Sequence, residues 1–160
     1  MNEKKVAFRS KALDRIKSFS SQQKFEKEKY LGKLLYEFLQ NYSIEFLTLG
    51  VYAPLNDEVN WTHLFLDDSF AFVDFGDASQ FCFRESLTRE ILERSRNSGE
   101  LFKRPKKSSK KVSPKNLLVP GRLFTRTGDR LGRGGGHYDR FLKGFKGLKI
   151  ALAFEEQIVS

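Results

Sequence analysis

Residues 116–142, NLLVPGRLFTRTGDRLGRGGGHYDRFL, constrain this chain more than any other stretch. A short apolar run, Leu117-Leu118-Val119, is halted by Pro120-Gly121, the pattern of a buried strand ended by a breaker. After a basic connection come Gly132-Arg133-Gly134-Gly135-Gly136 and then His137-Tyr138-Asp139-Arg140-Phe141-Leu142, which can continue as a helix. Strand, glycine-rich turn and helix together aim several backbone N–H groups at one anion, such as a phosphate. Glycine is needed because main chain that approaches an anion closely often takes φ above zero, where a Cβ clashes. Arg130, Arg133 and Arg140 bracket the turn with planar donors suited to phosphate oxygens. Asp139, one turn into the helix, is placed to hold Mg²⁺ beside nucleotide phosphates. The alternative is a flexible cationic loop with no ligand, since the spacing fits neither a Walker A loop nor a dinucleotide fingerprint.

The remaining composition narrows the class. A chain of 160 residues makes one domain the default and is long enough to bury an independent core. With 39% hydrophobic and 14% aromatic residues it belongs with globular rather than disordered proteins. No apolar run approaches the ~20 residues of a membrane span. The charged start lacks the apolar core of a signal peptide. Cys82 stands alone, which excludes an internal disulfide and a cysteine-based zinc site. A soluble, cytoplasmic protein is the expectation. Net charge is +9, and seven of the cations fall within residues 101–115, a segment without acids. That segment reads most simply as a solvated loop, the alternative being a nucleic-acid surface.

Taken in order, the chain alternates helices and short strands. Phe8, Ala12, Ile16 and Phe19 recur at helical spacing over residues 4–19, with Lys5 and Arg9 sharing a face beside that stripe. A second helix over residues 21–40 carries Leu31, Leu34, Leu35, Phe38 and Leu39, with Ser20 or Ser21 as its cap. Residues 46–52 read as a central strand, after which Glu58 is well placed for a ligand at a strand's carboxyl end, an exposed helix-start Glu being the alternative. His63 reads as structural or exposed. Further strands are predicted over residues 70–75, over 81–83 as a short piece suited to an edge, and over 149–154; a helix is predicted over 86–96. The fold class is therefore α/β, a single three-layer α/β/α domain over residues 1–160 with a mostly parallel central sheet.

The segment LLVPG, a following Phe and GDRLGRGGGHYDRFL closely resemble the signature of the 5-formyltetrahydrofolate cyclo-ligase (5,10-methenyltetrahydrofolate synthetase) family, roughly PG-x-x-F-D-x-x-G-x-RLGRGGGYYDR. Other segments are similar to the family in the right order. Lys5-Val6-Ala7-Phe8-Arg9 resembles its N-terminal Lys-x-x-Leu-Arg element, which contacts ATP. Residues 52–62 resemble its Tyr…Glu-Val-Asp-Thr motif, whose Glu lies in the folate pocket. Residues 99–105 resemble, loosely, a Gly-Ile-x-Glu-Pro element, and Ala153-Phe154-Glu155-Glu156-Gln157 an Ala-Phe-x-x-Gln strand ending.

The resemblance implies ATP- and Mg²⁺-dependent conversion of 5-formyltetrahydrofolate to 5,10-methenyltetrahydrofolate, with release of ADP and phosphate. It implies nucleotide binding by Lys5, Val6, Ala7, Phe8 and Arg9, and by Arg130, Leu131, Gly132, Arg133, Gly134, Gly135, Gly136, His137 and Tyr138. Ala53, Glu58 and Tyr138 would line the folate site. Arg133 and Asp139 would be catalytic, Asp139 also as the metal ligand. The partners implied are small molecules, acting on a monomer away from membranes and nucleic acid. The alternative is a catalytically weakened relative that binds nucleotide, folate or nucleic acid. The chain departs from the family pattern with His137 in place of a Tyr, with Thr125 in place of an Asp, and in reaching Ser160 without the family's C-terminal segment.

Overall fold

A computed structural model describes residues 2–75, 81–98 and 104–160. The elements run α1 (Glu3–Lys17), α2 (Ser21–Asn41), β1 (Leu49–Val51), β2 (Ser69–Asp74), β3 (Cys82–Leu87), α3 (Thr88–Ser98), β4 (Lys111–Val112), β5 (Asn116–Leu118), β6 (Leu123–Thr125), β7 (Arg130–Leu131), α4 (His137–Gly144), β8 (Lys149–Ile150) and β9 (Ile158–Val159). Three short 3₁₀ turns, Phe46–Thr48, Trp61–Leu64 and Glu155–Gln157, complete the order.

Among the described residues the main sheet has six strands in the order β4-β3-β2-β1-β5-β8. β2, β1, β5 and β8 are mutually parallel, while β3 and β4 join antiparallel at one side. Gly50, in the middle of β1, is sterically required. A Cβ there would lie 2.6 Å from Leu117 and 2.7 Å from Phe83. Side chains alternate across β2, so Phe70 and Phe72 take one face and Val73 the other. On the first face they join Trp61 and Phe65, closed over by Leu35 and Leu39 of α2. Trp61 is fully buried, and its indole N–H donates to the Tyr52 carbonyl at 3.0 Å. Phe83, opposite Val73, takes the second face and packs on Phe141 of α4. Helices therefore cover both faces, and the three-layer α/β architecture with a mainly parallel sheet is as expected.

Local sequence explains the helices. Ser20 and Gln23 form a reciprocal capping box at the start of α2. Asn2 caps α1, Glu3 sits in its first turn, and Arg15 and Lys17 sit in its last, matching the helix dipole. Of the apolar stripe expected on α1, Ala12 and Ile16 are buried but Phe8 is 53% exposed. The C-terminal half of α1 is the part that packs, with Ile16 against Phe154 and Val59 and with Arg15 donating to the Glu156 carbonyl.

Several expected boundaries move, each for a tertiary reason. The strand expected over residues 46–52 begins as a 3₁₀ turn, because Phe46 folds back to stack on Phe70. Residues 81–83 are not an edge: β3 runs six residues and pairs on both sides, leaving β4 outermost. The following helix starts at Thr88, since Ser86 and Leu87 are held by β2 and Thr88 donates to the Asp68 carbonyl through its backbone and its hydroxyl. Only Lys149 and Ile150 of the strand expected over 149–154 pair with a neighbour; Lys149 and Ala151 are exposed and Phe154 is buried. The basic connection after Gly121 is a β6–β7 hairpin, to which β9 adds in parallel as a second sheet. Buried Gln157 fastens that sheet, donating to the carbonyls of Gly121 and Arg122 and accepting from the Phe154 N–H. Within the basic segment, Lys111 and Val112 form β4 rather than free loop, while residues 99–103 lie outside the described residues.

Gly50→Ala is expected to destabilise the fold by about 1–3 kcal/mol through overpacking against Leu117 and Phe83. A lower urea midpoint checks this; an unchanged midpoint would show that β1 is not pinched as described.

Candidate active site

β2, β1 and β5 are parallel neighbours, so their carboxyl ends open in one direction. The cavity lies there, as is usual in open α/β sheets. It measures about 310 Å³. β1 continues into Tyr52, Ala53, Leu55 and Glu58; β2 contributes Val73 and Phe75; β5 runs into Pro120 and Gly121. The far wall is Arg130 and the turn from Gly132 to Asp139.

The glycine turn has the conformation that glycine permits. Gly134 and Gly136 take φ of +113° and +70°, the latter as the residue before α4. Gly134 and Gly135 are exposed rather than packed inside, so their amides are open to a ligand. Arg9 of α1 reaches across, its Nε donating to the Gly132 carbonyl at 2.8 Å. Lys5, Val6, Ala7 and Phe8 are exposed and line no part of the cavity, so among the five N-terminal residues expected at the nucleotide only Arg9 meets the turn.

Arg130 stitches three elements together. It donates to the Pro120 carbonyl at 2.7 Å, pairs with Asp139 at 2.6 Å and lies over the Tyr138 ring. The Tyr138 hydroxyl and the Arg130 Nε are buried without a hydrogen-bond partner beside the cavity, the condition of groups that a polar ligand satisfies. Burial, reinforced by Glu58, pushes the Tyr138 hydroxyl well above its ordinary pKa, so it stays a neutral donor. His137 is exposed and lies beside Arg140, and Leu131 pairs with Leu123 in the hairpin behind the cavity.

Two adjacent carboxylates face opposite fates. Glu58 is 7% exposed and accepts from the Leu55 N–H at 3.0 Å. Burial raises its pKa, only partly countered by the Leu55 N–H and by Arg133 at 3.7 Å. Asp57 is also raised by burial, but the Arg133 and Arg122 guanidiniums outweigh this and hold it below the usual carboxylate range. His63 is structural, paired with the buried carboxylate of Glu28 at 3.2 Å. Asp57, Arg122, Phe75 and Arg104 escaped the sequence reading. Nothing local in the sequence marks the first two, which are paired only by the fold.

No group of three or more His, Cys, Asp or Glu side chains fit to hold a metal occurs among the described residues. Asp139 spends one oxygen on Arg130 and is otherwise exposed, so its second oxygen could serve as one metal ligand. That fits Mg²⁺ held mainly by nucleotide phosphates and water.

Residues 82–160 match the 5-formyltetrahydrofolate cyclo-ligase family. A curated relative, the mitochondrial 5-formyltetrahydrofolate cyclo-ligase of Arabidopsis thaliana, is 46% identical over 53 residues, covering 27% of this chain and 19% of the relative. The match thus spans about a fifth of that protein's length. The fold is that of a 5,10-methenyltetrahydrofolate synthetase from Mycoplasma pneumoniae, with a TM-score of 0.75 at 19% identity, covering 100% of this chain and 90% of that one. The synthetase of Aquifex aeolicus gives a TM-score of 0.68 at 24% identity, covering 96% and 79%.

The raised pKa of Glu58 carries a stability consequence. Ionised Glu58 is worse solvated in the folded than in the unfolded chain, so its contribution favours folding at low pH and is lost as pH rises through the folded pKa. Glu58→Gln, which keeps an acceptor for the Leu55 N–H, should raise the urea midpoint at pH 7. The gain should vanish below about pH 4, the ordinary range of a Glu. A lower midpoint at pH 7 would contradict the assignment.

Proposed function

We propose, from the match of residues 82–160 to the 5-formyltetrahydrofolate cyclo-ligase family, that this chain belongs to that family and converts 5-formyltetrahydrofolate to 5,10-methenyltetrahydrofolate with ATP, releasing ADP and phosphate. The observation that carries the reading is the exposed glycine turn at the carboxyl ends of three parallel strands, lining one cavity together with buried Glu58 and the unpartnered Tyr138 hydroxyl.

The chemistry asks little covalent work of the protein. The formyl oxygen of the substrate attacks the γ-phosphate of ATP, forming an O–P bond as the bond to ADP breaks. N10 then adds to the activated carbon and gives up its proton, and the C–O bond breaks so that phosphate leaves with that oxygen. Phosphoryl transfer of this kind depends on positioning and on neutralising charge. Backbone N–H groups of residues 132–136 cradle the phosphates. Arg133 neutralises charge developing on the transferred group, and Arg9 holds the turn from the other side. Glu58, Ala53 and Tyr138 receive the folate, with the neutral Tyr138 hydroxyl as a donor. Mg²⁺, when bound by Asp139 together with the phosphates, supplies further charge neutralisation. In this proposal residues 1–160 act as one domain and the chain works as a monomer. A cytoplasmic location is part of the proposal, beside a curated relative named as mitochondrial. Among the described residues no helix is long and apolar enough to cross a membrane.

Incubation of the purified chain with 5-formyltetrahydrofolate, ATP and Mg²⁺ should generate the methenyl absorbance, and its absence at any enzyme concentration would overturn the reading. Arg133→Ala should lower kcat/KM for ATP by about 100-fold, the scale of one lost charge-stabilising donor, with little effect on stability because Arg133 is exposed. Equal kcat/KM would remove Arg133 from the site. Asp139→Asn should raise the Mg²⁺ concentration needed for half-maximal rate; an unchanged titration would make Asp139 a partner of Arg130 only.

A further inference from the structure

Asp57 stands one residue before Glu58 but lines no part of the cavity. Its two oxygens go to two different guanidiniums: Oδ1 accepts from Arg133 Nη1 and Oδ2 pairs with Arg122 Nη2, both at 2.5 Å. These partners come from separate pieces of chain. Arg133 belongs to the glycine turn, and Arg122 opens the β6–β7 hairpin. Arg122 is itself fixed, its backbone N–H donating to the Leu131 carbonyl and its own carbonyl accepting from Gln157. Its side chain is 11% exposed, so the guanidinium has little room to move.

We infer that Asp57 is a positioning residue for Arg133, pinning its guanidinium to the Arg122 anchor so that its free edge faces the nucleotide phosphates. The inference rests on the proposed use of ATP at this site. Arg133 spends Nη1 alone on carboxylates, 2.5 Å from Asp57 and 3.7 Å from Glu58, which leaves Nε and Nη2 for the cavity that the residue lines. An unrestrained arginine loses much rotamer freedom on gripping a ligand. One already held by a single nitrogen has lost most of it beforehand, and the ligand binds more tightly for that reason. The Asp57–Arg133 contact is partly exposed, at 22% and 40%, so it adds little to stability by itself. Orientation is the better account of it.

The test is a double-mutant cycle on the full chain, reading the affinity for Mg²⁺·ATP by calorimetry. Asp57→Ala should weaken ATP by roughly 3- to 10-fold, the scale of freeing one side chain. Asp57→Asn should lose less, because an amide oxygen still accepts from Arg133. In an Arg133→Ala background, Asp57→Ala should have no further effect. Unchanged or tighter binding in Asp57→Ala, or losses that simply add in the double variant, would overturn the inference while leaving the nucleotide site intact. Should Asp57→Ala fail to fold, the same cycle with Asp57→Asn decides the question. A parent chain that does not bind ATP would remove the functional reading and this inference together.

Discussion

The parallel pairing of β1 with β2 on one side and β5 on the other is the constraint on which the molecule rests. It covers both edges of β1 while packed side chains cover its faces, so Leu49, Gly50 and Val51 are all inaccessible and a side chain at the middle position would press on Leu117 and Phe83. It also aligns three carboxyl ends. The residues that follow each strand, Tyr52 and Ala53, Phe75, and Pro120 and Gly121, then converge on one cavity. The β6–β7 hairpin, tied down by β9 and Gln157, brings the glycine turn back over that convergence. Fold and site are one consequence of strand order.

Electrostatics at the cavity follows from burial. Asp57 and Glu58 are neighbours in sequence, yet two arginines hold one ionised while desolvation pushes the other toward neutrality. Environments that drive adjacent carboxyl groups apart mark places where different chemical tasks are divided. Burial likewise keeps the Tyr138 hydroxyl protonated, and it has no partner. Arg130 lies over the Tyr138 ring and Arg133 approaches Glu58, so cationic and protonated groups share one cavity.

Legibility in the sequence followed locality. The glycine turn, its bracketing arginines and helix α4 could be read because strand, turn and helix are contiguous and the backbone demands glycine at those places. The capping of α2 by Ser20 is local in the same way. What could not be read depended on distant pairing. Phe46 bends away from its strand only because Phe70 waits for it, and β3 gains a second partner from β4, far along the chain. The β6–β7 hairpin was hidden because its strands are two and three residues long and gain their third partner from β9 at residues 158–159. Phe8 looked like core from its spacing, but α1 packs only along its later turns. Asp57 gave no motif; its meaning lies in two arginines 65 and 76 positions away.

The claim that decides the rest is that nucleotide phosphates sit on the backbone of the glycine turn. Backbone amide NMR during titration with Mg²⁺·ATP observes those groups directly. The account predicts saturable shifts that are largest at Gly132, Arg133, Gly134, Gly135 and Gly136, with the Arg9 side chain moving in step. ATP binding that saturates while these amides stay still would place the nucleotide elsewhere and contradict the account.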